Sequence, residues 1–114
     1  KAYVDATSSK TKIWHITHLI TWTGQILPAA KLCAEARKRG IITIVDAAHS
    51  FAHLDYKLSD LSCDYFGTSL HKWLCAPKGA GFLFSIPEVQ HLLKPLIVLI
   101  LFTILFIINS ISIA

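Results

Sequence analysis

Residues 41–45 read Ile-Ile-Thr-Ile-Val, and Asp46, Ala47, Ala48 and His49 follow directly. An unbroken run of β-branched residues is the mark of a strand covered on both faces. Upstream, residues 29–39 are strong helix formers with Leu32, Cys33 and Ala36 on one face. Pro28 suits the first helical position, and Gly40 supplies the stop. Earlier still, residues 12–20 (KIWHITHLI) are rich in β-branched and aromatic side chains and predict another strand, ended by residues 21–24. Strand, helix, strand is a βαβ unit. Asp46 therefore falls just past the carboxyl end of a central parallel strand, the edge where open α/β sheets place their ligands. Downstream, residues 64–68 (DYFGT) predict a third strand. Residues 81–85 (GFLFS) predict a fourth, after the turn-forming Ala76-Pro77-Lys78-Gly79.

The chain has 114 residues, 54 % of them hydrophobic and 16 % charged, which excludes disordered and collagen-like classes. Its length allows one domain at most. The charge is unevenly spread: all 11 Lys and Arg and all 7 Asp and Glu lie in residues 1–94, and residues 95–114 carry none. The sequence begins at Lys1, contains no Met and shows no signal-peptide pattern, so it reads as a piece of a longer protein. The net charge of +4 rests partly on Arg37, Lys38 and Arg39. These sit in the last turn of the predicted helix, where the carbonyl ends favour cations. No electrostatic footprint for nucleic acid results. Cys33, Cys63 and Cys75 are odd in number and form no CxxC pair, which argues for free thiols in a reducing compartment.

Between Asp46 and Lys72 the chain places Asp46, His49, Ser69, His71 and Lys72 near predicted strand ends. Lys72 has the apolar neighbours Leu70, Trp73 and Leu74. Desolvation among them pushes a lysine toward its neutral amine, the form that attacks carbonyls and makes Schiff bases. A pyridoxal phosphate site needs such a lysine, an acid for the pyridinium nitrogen and donors for the phosphate. His15 and His18, or His49 and His53, have spacings that suit a metal, but no cysteine or carboxylate completes a tetrahedral set, so no metal site is expected. Taken alone, Asp46 is a turn cap. Trp14, Trp22 and Trp73 are expected to pack, and His53, His91 and Lys57 to face solvent.

Three segments carry a resemblance: Val45-Asp46-Ala47-Ala48-His49, Ser69-Leu70-His71-Lys72-Trp73-Leu74, and Pro77-Lys78-Gly79-Ala80-Gly81-Phe82-Leu83. In this order and separation they resemble the class V aminotransferase family, the pyridoxal-phosphate enzymes that include cysteine desulfurases and isopenicillin N epimerase-like proteins. Thr17-His18, Thr23-Gly24 and Pro28 resemble the family's strand-turn-helix segment. The similarity runs from about residue 12 to about residue 97. It implies an α/β fold, a partial three-layer sandwich with a mostly parallel sheet, in which residues 1–94 are part of the pyridoxal-phosphate-binding large domain.

The resemblance implies that Lys72 is the Schiff-base lysine and later moves protons at the substrate's α-carbon. It makes Asp46 the partner of the pyridine nitrogen, sets His49 over or beside the ring, and makes Ser69 and His71 phosphate donors. The last two are two residues apart and point the same way from an extended segment. Thr21 falls near the cofactor's oxygen, where desulfurase members carry Asn. That departure, with Cys75 poorly placed for a mobile catalytic thiol, favours the epimerase-like or aminotransferase branch. Also implied are pyridoxal 5'-phosphate, a small amino-acid substrate and a homodimer with sites near the subunit boundary. The family's phosphate-binding loop and its carboxylate-binding arginine lie outside these residues, and Arg37 and Arg39 are poor substitutes.

From Leu96 to Ile108 the chain is apolar except for Thr103. Residues 96–114 would span about 28 Å as a helix, close to a bilayer's hydrocarbon core. Two readings follow for the hydrophobic C-terminal helix expected over residues 95–114: a transmembrane anchor that leaves the catalytic segment in the cytoplasm, or the product of a truncated or frame-shifted gene. Two functions follow for the whole: a segment of an enzyme that transaminates, epimerises or eliminates, or an inactive, truncated or membrane-tethered remnant.

Overall fold

A computed structural model describes residues 1–94 of the chain. The order is α1 (Ala2–Asp5), β1 (Ile13–Thr17), α2 (Ala29–Lys38), β2 (Ile42–Asp46), α3 (Leu58–Leu61), β3 (Tyr65–Ser69), β4 (Gly81–Ser85) and α4 (Pro87–Gln90). The four strands form one sheet in the order β1-β2-β3-β4. The first three are parallel, and β4 runs antiparallel to β3. That reversal has a local cause, since residues 70–80 connect β3 to β4 by turns without the crossover helix that a parallel partner requires.

α2 begins at Ala29 with Pro28 as its cap, ends at Lys38, and is followed by Gly40 at a φ of +65°, a left-handed position open to glycine. It buries Ala29, Cys33 and Ala36 against Trp14, Ile16, Val45 and Phe66. Leu32, expected on the same face, is partly buried beside them. β1 is shorter than residues 12–20. After Thr17 the chain turns, with Ile20 N–H donating to Gln25 O, Gly24 N–H donating to Ile20 O, and Gly24 at a φ of +68°.

Packing on β2 corrects the expectation of burial on both faces. Its residues alternate, Thr43 and Val45 buried, Ile42, Ile44 and Asp46 only partly. α1, α2 and the 51–58 segment all contribute to the core on the Trp14, Val45 and Phe66 side. The described residues thus supply two layers of the expected sandwich. On the other face Ile13 and His15 stand exposed, and Tyr65 is covered, its hydroxyl donating to Val89 O of α4 at 2.7 Å.

One tie across the sheet had no signal in the sequence. Asp64 Oδ2 accepts from both the backbone N–H and the hydroxyl of Thr43, each at 2.7 Å, and Asp64 N–H donates to Thr43 Oγ1 at 3.0 Å. Thr43 is fully buried, so its polar groups need these partners. Burial also pushes the Cys63 thiol up to about 12, in keeping with an inert core cysteine; Cys33 is likewise buried, and Cys75 is exposed.

The expected helix over residues 95–114 lies outside the described residues. Among the described residues no helix is long and apolar enough to cross a membrane.

Candidate functional site

The site is assembled at the carboxyl edge of the sheet by the turns that follow β2 and β3. Asp46 is the last residue of β2 and pairs in register with Thr17 of β1 and Gly67 of β3. Its Oδ1 accepts the Ala48 N–H at 2.9 Å. The bond is the turn-capping role open to any aspartate there, and it also orients the carboxylate. The turn beyond is rooted in the protein: Ala47 is fully buried and its N–H donates to Gly67 O at 2.8 Å, while Ser50 is fully buried with its hydroxyl 3.0 Å from that of Tyr56.

This turn presents His49, whose Nε2 lies 3.1 Å from Lys72 Nζ. Twenty-three positions apart in sequence, the two are brought together because β2 and β3 are neighbours in the sheet. One proton must lie between two nitrogens at that distance. His49 is held below the ordinary imidazole range, first by burial and then by the Lys72 charge; Asp46 opposes this and His53 adds to it. The lysine therefore donates and the imidazole accepts.

A cavity of about 440 Å³ lies beside Asp46 on the sheet face away from the core, lined among others by Asp46, Ala48, Gly67, Ser69 and Gly81. Its size is in the range of small-molecule sites. Gly67 stands opposite Asp46 and leaves open room where another residue would place a side chain. Neither glycine nor Ala48 was singled out from the sequence. The signal available was the alternation of strand residues, which puts Gly67 on the Asp46 face once the register is known.

Several expectations need correction. β3 stops at Ser69, and Leu70 and His71 lie in a turn, so Ser69 and His71 do not project together from an extended segment. Ser69 lines the cavity; His71 is exposed, with Nδ1 3.4 Å from Ala80 O. Lys72 is half-buried, but Trp73 and Leu74 are 49 % and 51 % exposed. Their apolar character does not become a desolvating pocket, and a titratable neighbour stands there instead. Thr21 sits exposed in the loop after β1, and among the described residues its side chain makes no hydrogen bond. Of the three tryptophans only Trp14 is a core residue; Trp22 is 93 % exposed. His53 faces solvent as expected, yet its ring stacks on Trp73 with centroids 3.9 Å apart.

The donor set suits pyridoxal phosphate. The Asp46 carboxylate and the Ser69 hydroxyl line a cavity with Gly67, Gly81 and Ala48, while Lys72 and His49 stand outside its lining in the turns at the same sheet edge.

Comparison with known proteins identifies the family and the fold. The family described as "Aminotransferase class-V" matches residues 1–99. Isopenicillin N epimerase of Streptomyces clavuligerus is 48 % identical over 94 residues, 82 % of this chain and 24 % of that protein. The enzyme of the same name from Amycolatopsis lactamdurans is 41 % identical over 95 residues, 83 % of this chain and 24 % of its own length. This chain thus spans about a quarter of the curated relatives it matches. Among solved structures, that of SspA in complex with cysteine superposes with a TM-score of 0.75 at 29 % identity, covering 84 % of this chain and 27 % of that one. The sheet is of the same α/β kind.

Proposed function

The chain belongs to the class V aminotransferases, and on that premise we propose that it carries the lysine-bearing part of a pyridoxal-phosphate enzyme that epimerises an amino-acid-type substrate. The observation that carries the reading is the 3.1 Å approach of Lys72 Nζ to His49 Nε2, at the sheet edge where Asp46 and Ser69 line one cavity. Identity of 48 % to an isopenicillin N epimerase, together with Thr21 and Cys75 in place of desulfurase features, favours epimerisation over sulfur transfer.

When bound, pyridoxal phosphate supplies an electron-accepting ring that stabilises negative charge at a substrate's α-carbon. The protein's part is to bind, orient and move protons. Asp46 would keep a proton on the ring nitrogen. Its Oδ1 is already engaged by Ala48 N–H, so the carboxylate is aimed before anything binds. Ser69, which lines the cavity, would donate to the phosphate, and His71 would join it from the adjoining turn. His49 would lie beside the ring, and its Nε2, 3.1 Å from Lys72 Nζ, accepts a hydrogen bond that orients the amine. Lys72 would hold the cofactor through its Nζ, and the same amine would move a proton at the substrate's α-carbon. Thr21, in the loop after β1, would contact the cofactor's oxygen. The working unit is a homodimer in the cytoplasm, and the substrate is a small amino acid or its derivative.

Borohydride reduction of the chain with pyridoxal phosphate, followed by peptide mapping, tests the reading. A stoichiometric pyridoxyl adduct on Lys72, absent from Lys72→Ala, is the expected result. Scattered substoichiometric labelling of Lys31, Lys57 and Lys78 would instead support the inactive remnant.

A further inference from the structure

The turn that carries Lys72 is tied mainly to itself. Its backbone bonds run from Leu70 N–H to Ala80 O, Cys75 N–H to Lys72 O, Ala76 N–H to Leu70 O and Ala80 N–H to Pro77 O. Trp73 and Leu74 are about half exposed, so little apolar burial anchors it. Two side-chain contacts reach out of it to the turn after β2. One is Lys72 Nζ to His49 Nε2 at 3.1 Å. The other is Trp73, stacked on His53 with centroids 3.9 Å apart and planes 25° apart.

We propose that His53 is a positioning residue: by stacking on Trp73 while bonded to the His49 carbonyl, it sets Lys72 Nζ against His49. This rests on the reading of Lys72 as the reactive amine. His53 Nδ1 lies 3.2 Å from His49 O, and since a carbonyl only accepts, that nitrogen bears the proton. His49 and His53 are four residues apart on one turn, and Lys72 and Trp73 are adjacent on the other. Two contacts between two turns fix an orientation that one would leave free to rotate. An aromatic stack of this kind is an interaction beyond simple area burial. Leu74, the next residue along, is equally exposed and belongs to neither contact, so it provides an internal control.

The test follows the His49 imidazole by NMR in the full chain without cofactor. Lys72, Asp46 and His53 are the charged or titratable groups that act on this ring. In the native chain burial and Lys72 hold its titration midpoint below the ordinary value, and losing the lysine's approach raises it. Trp73→Ala removes no titratable group, so a rise toward the ordinary imidazole value is expected, with Trp73→Phe and Leu74→Ala staying at the native midpoint. His53→Ala against His53→Phe makes the same comparison from the other partner, because both lose the imidazole and only one loses a stackable ring; the midpoint should be higher in the alanine variant. An unmoved midpoint in folded Trp73→Ala, or equal midpoints in the two His53 variants, overturns the proposal. In the trapping experiment, Trp73→Ala should label Lys72 roughly three- to tenfold more slowly than the native chain. If the native chain traps no cofactor while the His49 shifts appear, the cofactor reading falls and the positioning role stands.

Discussion

The two turns at the carboxyl edge of the sheet are built differently. Residues 47–56, after β2, are rooted in the core: Ala47 and Ser50 are fully buried, Thr68 donates to Ala47 O, and the Phe51 ring meets Phe66 and Phe82 edge-on. Residues 70–80, after β3, bond mainly to themselves and leave Trp73 and Leu74 half exposed. Asp46 ends β2, and its carboxylate is held by the Ala48 N–H of the first turn, which also carries His49. The second turn carries Lys72, whose Nζ meets His49 across the gap between the turns. A carboxylate beside a core-rooted turn is oriented by the fold itself, whereas a side chain on a self-bonded turn has fewer supports.

The largest expected effect separates the two supports. Phe66→Ala removes a fully buried ring under the first turn and should cost about 3–5 kcal/mol in denaturant unfolding, whereas Leu74→Ala in the second should stay within about 0.5 kcal/mol. Equal losses would break the contrast. Next comes Asp64→Ala. It strips the buried Thr43 N–H and hydroxyl of their acceptor at the base of the sheet, and a loss of about 1–3 kcal/mol in the same assay is expected.

A smaller effect concerns the support of the first turn. His18 is buried, stands edge-on to Tyr56 with centroids 4.9 Å apart, and has its Nδ1 buried without a partner. Burial holds its pKa below the ordinary imidazole value. The unfolded chain then binds the proton more readily than the folded one. Stability is fully present above about pH 6.5 and declines as the pH falls from there toward the lowered folded value. Unfolding midpoints measured across this window should show the decline, and His18→Phe, which keeps an aromatic ring, should flatten it.

The fold was largely legible in the sequence because its signals are local. The 41–45 run, the helix formers ended by Gly40 and the Pro77–Gly79 turn each announce an element through residues close together in the chain, and β4 falls on residues 81–85 as read. Of the residues singled out, Asp46 and Ser69 line one cavity, and His49 and Lys72 meet in the turns at the same sheet edge. Their surroundings were less legible. Apolar neighbours in sequence suggest a buried Lys72, but a side chain's burial depends on what packs across from it, and Trp73 and Leu74 remain about half exposed, Trp73 stacked on His53. His71 was read as continuing a strand that ends two residues earlier.

The family, the βαβ order and the residue types at the strand ends are readable from one segment at a time, because motif spacing and hydrophobic period are written along the chain. Folding in three dimensions settles that Asp64 anchors Thr43, that Gly67 opens a cavity beside Asp46, and that His53 meets Trp73. Each of these is a pairing between segments separated in sequence. Strand register and turn geometry choose the partners there, and no single segment carries that information alone.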